Sequence, residues 1–133
     1  MSYGSSITLD VPFSEAVARV RAALAGQGFG VLTEIDVTAT LNAKLGEQIE
    51  DYVILGACNP PLAHRALAAD RSIGLLLPCN VVVRATPAGT LVEALDPQIM
   101  ATLTGQPELK PVADEAARRL AAALAGLKEG EHE

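Results

Sequence analysis

Two runs in the sequence, YVILGAC at Tyr52 to Cys58 and GLLLPCNVVV at Gly74 to Val83, carry apolar side chains at consecutive positions rather than at alternate ones. A strand with hydrophobic residues on both faces has to lie inside a sheet, with neighbours on either side and a covering layer above it. That requirement excludes an all-helical bundle and an open, solvent-washed hairpin. The first run is also sharply ended. Asn59 offers a side-chain oxygen to cap a helix, and Pro60 holds Asn59 in the extended conformation an N-cap needs, so a strand over 52–58 passes directly into a helix reaching about Asp70.

The remaining elements follow from periodicity. Ile7, Leu9 and Val11 alternate with Thr8 and Asp10 as in a half-buried strand. After Pro12, the residues Phe13, Val17, Val20 and Leu24 recur at helical spacing until Gly26 and Gly28 release the chain. GVLTEIDV reads as a second strand with Val31, Thr33, Ile35 and Val37 on one face and Glu34 and Asp36 toward water. Leu41 and Leu45 suggest a short helix ended by Gly46, with Thr38 as its cap. Two further strands, about Cys79 to Thr86 and Thr90 to Leu95, joined at Pro87, Ala88 and Gly89, form an antiparallel pair. Asp96 caps the short segment PQIMATL. A last helix within 107–126 buries a stripe of Val112, Ala116, Leu120, Leu124 and Leu127, with Pro111 confined to its beginning. The sum is one α+β domain over 1–127, a mainly antiparallel sheet with long helices on one face, followed by a polar tail at 128–133 expected to fray. The uncovered sheet face predicts a homodimer.

Bulk properties narrow the function classes. The chain has 133 residues, no Trp, two Phe and two Tyr, so its core is aliphatic. A net charge of -6 repels phosphate backbones, and the scarcity of aromatics leaves little for bases to stack on, which argues against nucleic-acid binding. The longest apolar run is interrupted by Pro78 and Asn80 and is too short to span a bilayer. Without a signal-like N-terminal region the expected setting is cytoplasmic, where a pair of cysteines stands as free thiols, metal ligands or redox groups rather than as a cross-link.

Those cysteines, Cys58 and Cys79, are the two in the chain, and each is followed by asparagine, Asn59 and Asn80. If the strand after Pro78 starts at Cys79, the chain returns it to the neighbourhood of Cys58; if it starts near Ile73, the two lie too far apart to bridge. Two readings of the quartet result. The first is a dimeric, non-enzymatic module that binds a small ligand in a cleft near Cys58, Asn59, Cys79 and Asn80. The second is a thiol-dependent redox or soft-metal protein, because Cys58 precedes a helix N-terminus that favours thiolate, and His64 and Met100 are of the type that completes a copper or zinc set. Against the second stand the hydrophobic role open to Cys58 beside Ala63 and the absence of a C-x-x-C pair. No cofactor is named by any motif: Gly26, Gly28 and Gly30 follow a helix rather than a strand, the wrong context for a phosphate loop. His132 lies in the polar tail.

The segments YVILGACNPPLA, IGLLLPCNVVV, FSEAVARVRAALAGQGFGVLTEIDV and ALDPQIMATL with PELKPVADEAARRLAAAL resemble the bacterial and archaeal family known as domain of unknown function 302. The resemblance covers almost the whole chain. It implies a β-α-β4-α two-layer sandwich of the TATA-binding-protein type, commonly dimeric, and it implies no reaction, so function has to be argued from sites.

Overall fold

The computed structural model describes residues 3–131. Five strands form one sheet in the order β1-β5-β4-β3-β2, every neighbouring pair antiparallel. They are β1 (Gly4–Leu9), β2 (Gly30–Asp36), β3 (Tyr52–Cys58), β4 (Cys79–Thr86) and β5 (Gly89–Leu95). Helices α1 (Phe13–Gly26) and α5 (Lys110–Glu131) pack on each other and against one face of the sheet. Three shorter helices, α2 (Val37–Leu45), α3 (Pro60–Ala69) and α4 (Gln98–Thr104), fill the connections. The β-α-β4-α order expected of an α+β sandwich is therefore the backbone of the fold.

Most boundaries fall where the residues place them. Asn59 accepts a hydrogen bond from the Leu62 amide at 3.3 Å and caps α3. Asp96 accepts from the Gln98 amide at 2.9 Å at the start of α4. The Leu77–Pro78 peptide is cis, β4 starts at Cys79, and Arg71–Leu76 before it is a short 3-10 helix. Pro111 stands in the first turn of α5, where its missing amide costs nothing. That helix continues to Glu131, past Leu127 where the polar tail begins, and His132 lies outside the described residues.

Two readings are corrected. The cap of α2 is Asp36, which accepts from the Ala39 amide at 2.9 Å; Thr38 instead donates to the Glu50 carbonyl and accepts from the Tyr52 amide, pinning the helix start to β3. In β2 the pairing slips between Val31 and Thr33, so that Val31 lies opposite Ala57 and Thr33 opposite Gly56. Leu32 is the extra residue of a bulge, and the alternation inverts after it. Val31 packs on the core, whereas Thr33 and Ile35 turn to the sheet's other face and Glu34 and Asp36 turn toward the helices. Glu34 there meets Arg21 of α1 at 2.6 Å.

The core has two parts. One lies between the sheet and α1 with α5, built on Leu9, Val20, Leu55, Val81, Val83, Val92 and Leu120. The other gathers Leu62 from α3, Ile73 from the 3-10 helix Arg71–Leu76, Met100 from α4, Leu109 from the turn Pro107–Leu109 and Val112 from the start of α5. The seam between the two parts holds the cysteines.

Candidate functional site

Cys79 opens β4 opposite Ala57, and Cys58 is the last residue of β3, where the chain leaves the sheet for α3. Both line a small apolar cavity of about 30 Å³ together with Asn59, Leu62, Pro78 and Met100. The cysteines therefore do share one cavity, as they should if β4 starts at Cys79. The cavity admits about one water-sized body and no organic molecule. Cys79 is 6% exposed. Burial, reinforced by the neighbouring Cys58, pushes its thiol from the ordinary 9.0 up to about 11. At neutral pH it is a neutral thiol and a weak nucleophile. Cys58 is half-buried, and neither cysteine is in a disulfide.

Asn59 is buried, spends its side-chain oxygen on the α3 cap and extends its amide toward the Gln27 carbonyl at 3.5 Å. Arg119 donates to that same carbonyl at 3.3 Å. Gly28 sits over this pair with φ +84°, and a Cβ there would stand 3.0 Å from Asn59 Nδ2 and 3.1 Å from Arg119 Nη1, so glycine is what the close approach requires. Asn80 is not with the other three. It is exposed on the opposite sheet face, lining a shallow depression with Tyr3, Val82 and Glu93. His64 is exposed on α3 and does not line the cysteine cavity, whereas Met100 does. Among the described residues, no three of His, Cys, Asp and Glu converge where they could hold a metal.

A larger cleft, about 540 Å³, opens elsewhere, between the start of α1, the end of β2, α2 and the loop before β3. Its apolar side is Phe13, Val17 and Val53, and its polar side includes Ser14, Glu34, Asn42, Gln48 and Asp51. In a chain with two Phe, two Tyr and no Trp, Phe13 and Tyr52 both border this cleft. It exists because α2 contributes no buried side chain and lies as a short wall rather than as a packed cover. Sequence reasoning missed it: Glu34 and Asp36, two of the carboxylates that border it, are expected on the face away from the core, and the bulge at Leu32 puts them on the helix side, where both stay exposed.

The family profile described as "Domain of unknown function DUF302" matches residues 5–127, with both cysteine segments inside the match. The chain belongs to the DUF302 family. A solved structure with which it can be compared is that of an uncharacterized conserved DUF302 protein from Bacillus stearothermophilus. It is 30% identical, with a TM-score of 0.87, over 94% of this chain and 98% of that one. No curated protein matches the chain. The DUF302 assignment accords with the five-stranded antiparallel sheet carrying its helices on one side, and it leaves chemistry to the two cavities. Among the described residues no helix is long and apolar enough to cross a membrane.

Proposed function

We propose that this DUF302 domain is a non-enzymatic module that binds a small polar or cationic organic molecule in the cleft between α1, β2 and α2, and that it does so as a homodimer. The observation that carries the binding reading is size and lining. The cleft's 540 Å³ falls within the range of small-molecule sites, whereas the 30 Å³ at the cysteines does not. An apolar side formed by Phe13, Val17 and Val53 faces Glu34, Asp51 and the amides of Asn42 and Gln48, a division that suits a ligand with one apolar side and several hydrogen-bond donors. Binding rather than turnover is favoured because Asp36 and Thr38 are already committed to holding α2, and because the lining contains neither histidine nor cysteine.

Dimerisation is supported by the sheet face away from the helices, where Ile54, Val82, Leu91 and Leu95 are only half-buried and Ile35 is 48% exposed. Arg84 and Glu93, paired at 3.0 Å, lie among them.

Nuclear magnetic resonance titration with a panel of small amines and amides tests the cleft. Shifts confined to Ser14, Val17, Asn42, Gln48 and Asp51, and lost when Val17→Trp fills the space, are the expected result. Shifts that cluster elsewhere, or survive Val17→Trp in a folded protein, refute the assignment. Sedimentation equilibrium of wild type and Val82→Glu tests the dimer: a monomeric wild type removes it.

A further inference from the structure

Three sulfur atoms belong to residues that border one cavity no larger than a single atom needs. Cys58 comes from the end of β3, Cys79 from the start of β4 and Met100 from α4, and all three line the 30 Å³ space at the seam between the two parts of the core. Cys79 pairs with Ala57, the residue just before Cys58, which sets the two cysteines on adjoining strand ends. No carboxylate, imidazole, lysine or arginine borders the cavity, and its polar member, Asn59, already has its oxygen on the Leu62 amide. Hard cations find no oxygen donors there. Soft, polarizable donors are what the lining supplies, and two thiolates with a thioether suit Cu(I).

We propose that Cys58, Cys79 and Met100 form a three-coordinate Cu(I) site. Binding forms two copper–thiolate bonds and one copper–thioether bond; two S–H bonds break, their protons pass to solvent, and the metal stays in the Cu(I) state throughout. The resulting single negative charge lies against the N-terminal end of α3, a ten-residue helix that begins directly after Asn59 and favours charge of that sign. This site is independent of the cleft, so either reading can fail alone.

The test is an anaerobic competition titration of the intact protein with Cu(I) against a coloured Cu(I) chelator, on wild type, Cys58→Ala, Cys79→Ala and Met100→Leu, with circular dichroism to verify folding. One Cu(I) per chain is expected. Each cysteine variant should lose roughly 100-fold or more in affinity, since losing a ligand exceeds the 10–100-fold effect of outer-shell changes, and Met100→Leu roughly tenfold. Met100→Leu conserves volume and keeps the test valid should a cysteine variant misfold. No binding by wild type overturns the proposal. So does wild-type affinity in Cys79→Ala or Met100→Leu, which would put the ion on the more accessible Cys58 alone.

Discussion

Replacing Cys79 by alanine isolates the protonation of one buried thiol. Its titration is displaced from 9.0 to about 11, first by burial and second by Cys58. Two pH units at about 1.4 kcal/mol each amount to roughly 2–3 kcal/mol of preference for the neutral form in the folded state. The sign follows from proton counting. Between pH 9 and 11 the folded chain keeps a proton that the unfolded chain has released. That contribution is thus fully present below about pH 9 and is lost as pH rises through about 11.

The measurement is urea unfolding of wild type and Cys79→Ala from pH 7.5 to 11.5, with the free-energy difference plotted against pH. Lysine and tyrosine titrations are common to both proteins and cancel. The difference should be level at the acid end, set by the buried sulfur that alanine lacks, and should fall by roughly 2–3 kcal/mol toward the alkaline end. Reactivity gives a second view. At pH 8 about one Cys79 in a thousand is thiolate, against about one in ten for a thiol titrating at 9.0. An aromatic disulfide reagent should consume one thiol quickly at half-buried Cys58 and the other only on opening, with both consumed at once in denaturant. A level difference curve, together with two thiols reacting at equal rates in the folded protein, would refute the sealed position of Cys79.

Three further outcomes test the scaffold around both cavities. Gly56→Ala places a Cβ into Thr33 Oγ1 and 2.9 Å from Pro78 Cγ, so it should cost about 1–3 kcal/mol in urea unfolding, and Thr33→Ala should recover part of that cost; an additive double mutant would contradict the contact. Asn59→Ala removes the α3 cap and should cost about 1–2 kcal/mol, with Asn59→Ser recovering part of it; equal stability of all three proteins would show that the 3.3 Å bond to Leu62 does not matter. Asp36→Ala should speed amide exchange in α2 by about fivefold, corresponding to about 1 kcal/mol, while exchange in β3 and β4 is unchanged, because α2 buries no side chain; slowed or global exchange would count against a separately held wall.

How far the fold could be read from the chain depended on punctuation. Where Asn59 and Pro60, Asp96 and Pro97, or Pro78 and Cys79 mark a junction, backbone constraints are local and the boundary falls within a residue or so of its expected place. Where no such residue stands, as at Leu32, the bulge is set by how β2 meets β3 and leaves no local signature. One extra residue then moves every later side chain to the other face. The candidate site shows the same division. Grouping Asn80 with Cys79 ignored alternation, since consecutive strand residues point to opposite faces, and this was available from the sequence. Donor type alone named His64 and Met100 with the cysteines; that Met100 and not His64 borders their cavity depends on how α4 packs against α3 and α5.

The bulge also explains why a cleft lies at this edge of the sheet. With regular pairing, Thr33 and Ile35 would face α1 and an aliphatic helix face could close over them. Inverted, the strand presents Glu34 and Asp36, and covering two carboxylates with apolar side chains costs several kcal/mol unless each is matched. Arg21 answers Glu34 and the α2 amide at Ala39 answers Asp36. Both solutions hold the carboxylates at the margin and leave Phe13, Val17 and Val53 bordering an opening. Deletion of Leu32 removes the bulge but leaves Glu34 opposite Leu55 and Ile35 opposite Ile54, so on this reasoning the lining of the cleft stays in place. Amine and amide binding kept at Ser14 and Val17 in a folded deletion variant is the expected result, and its loss would break the link between this register and the site.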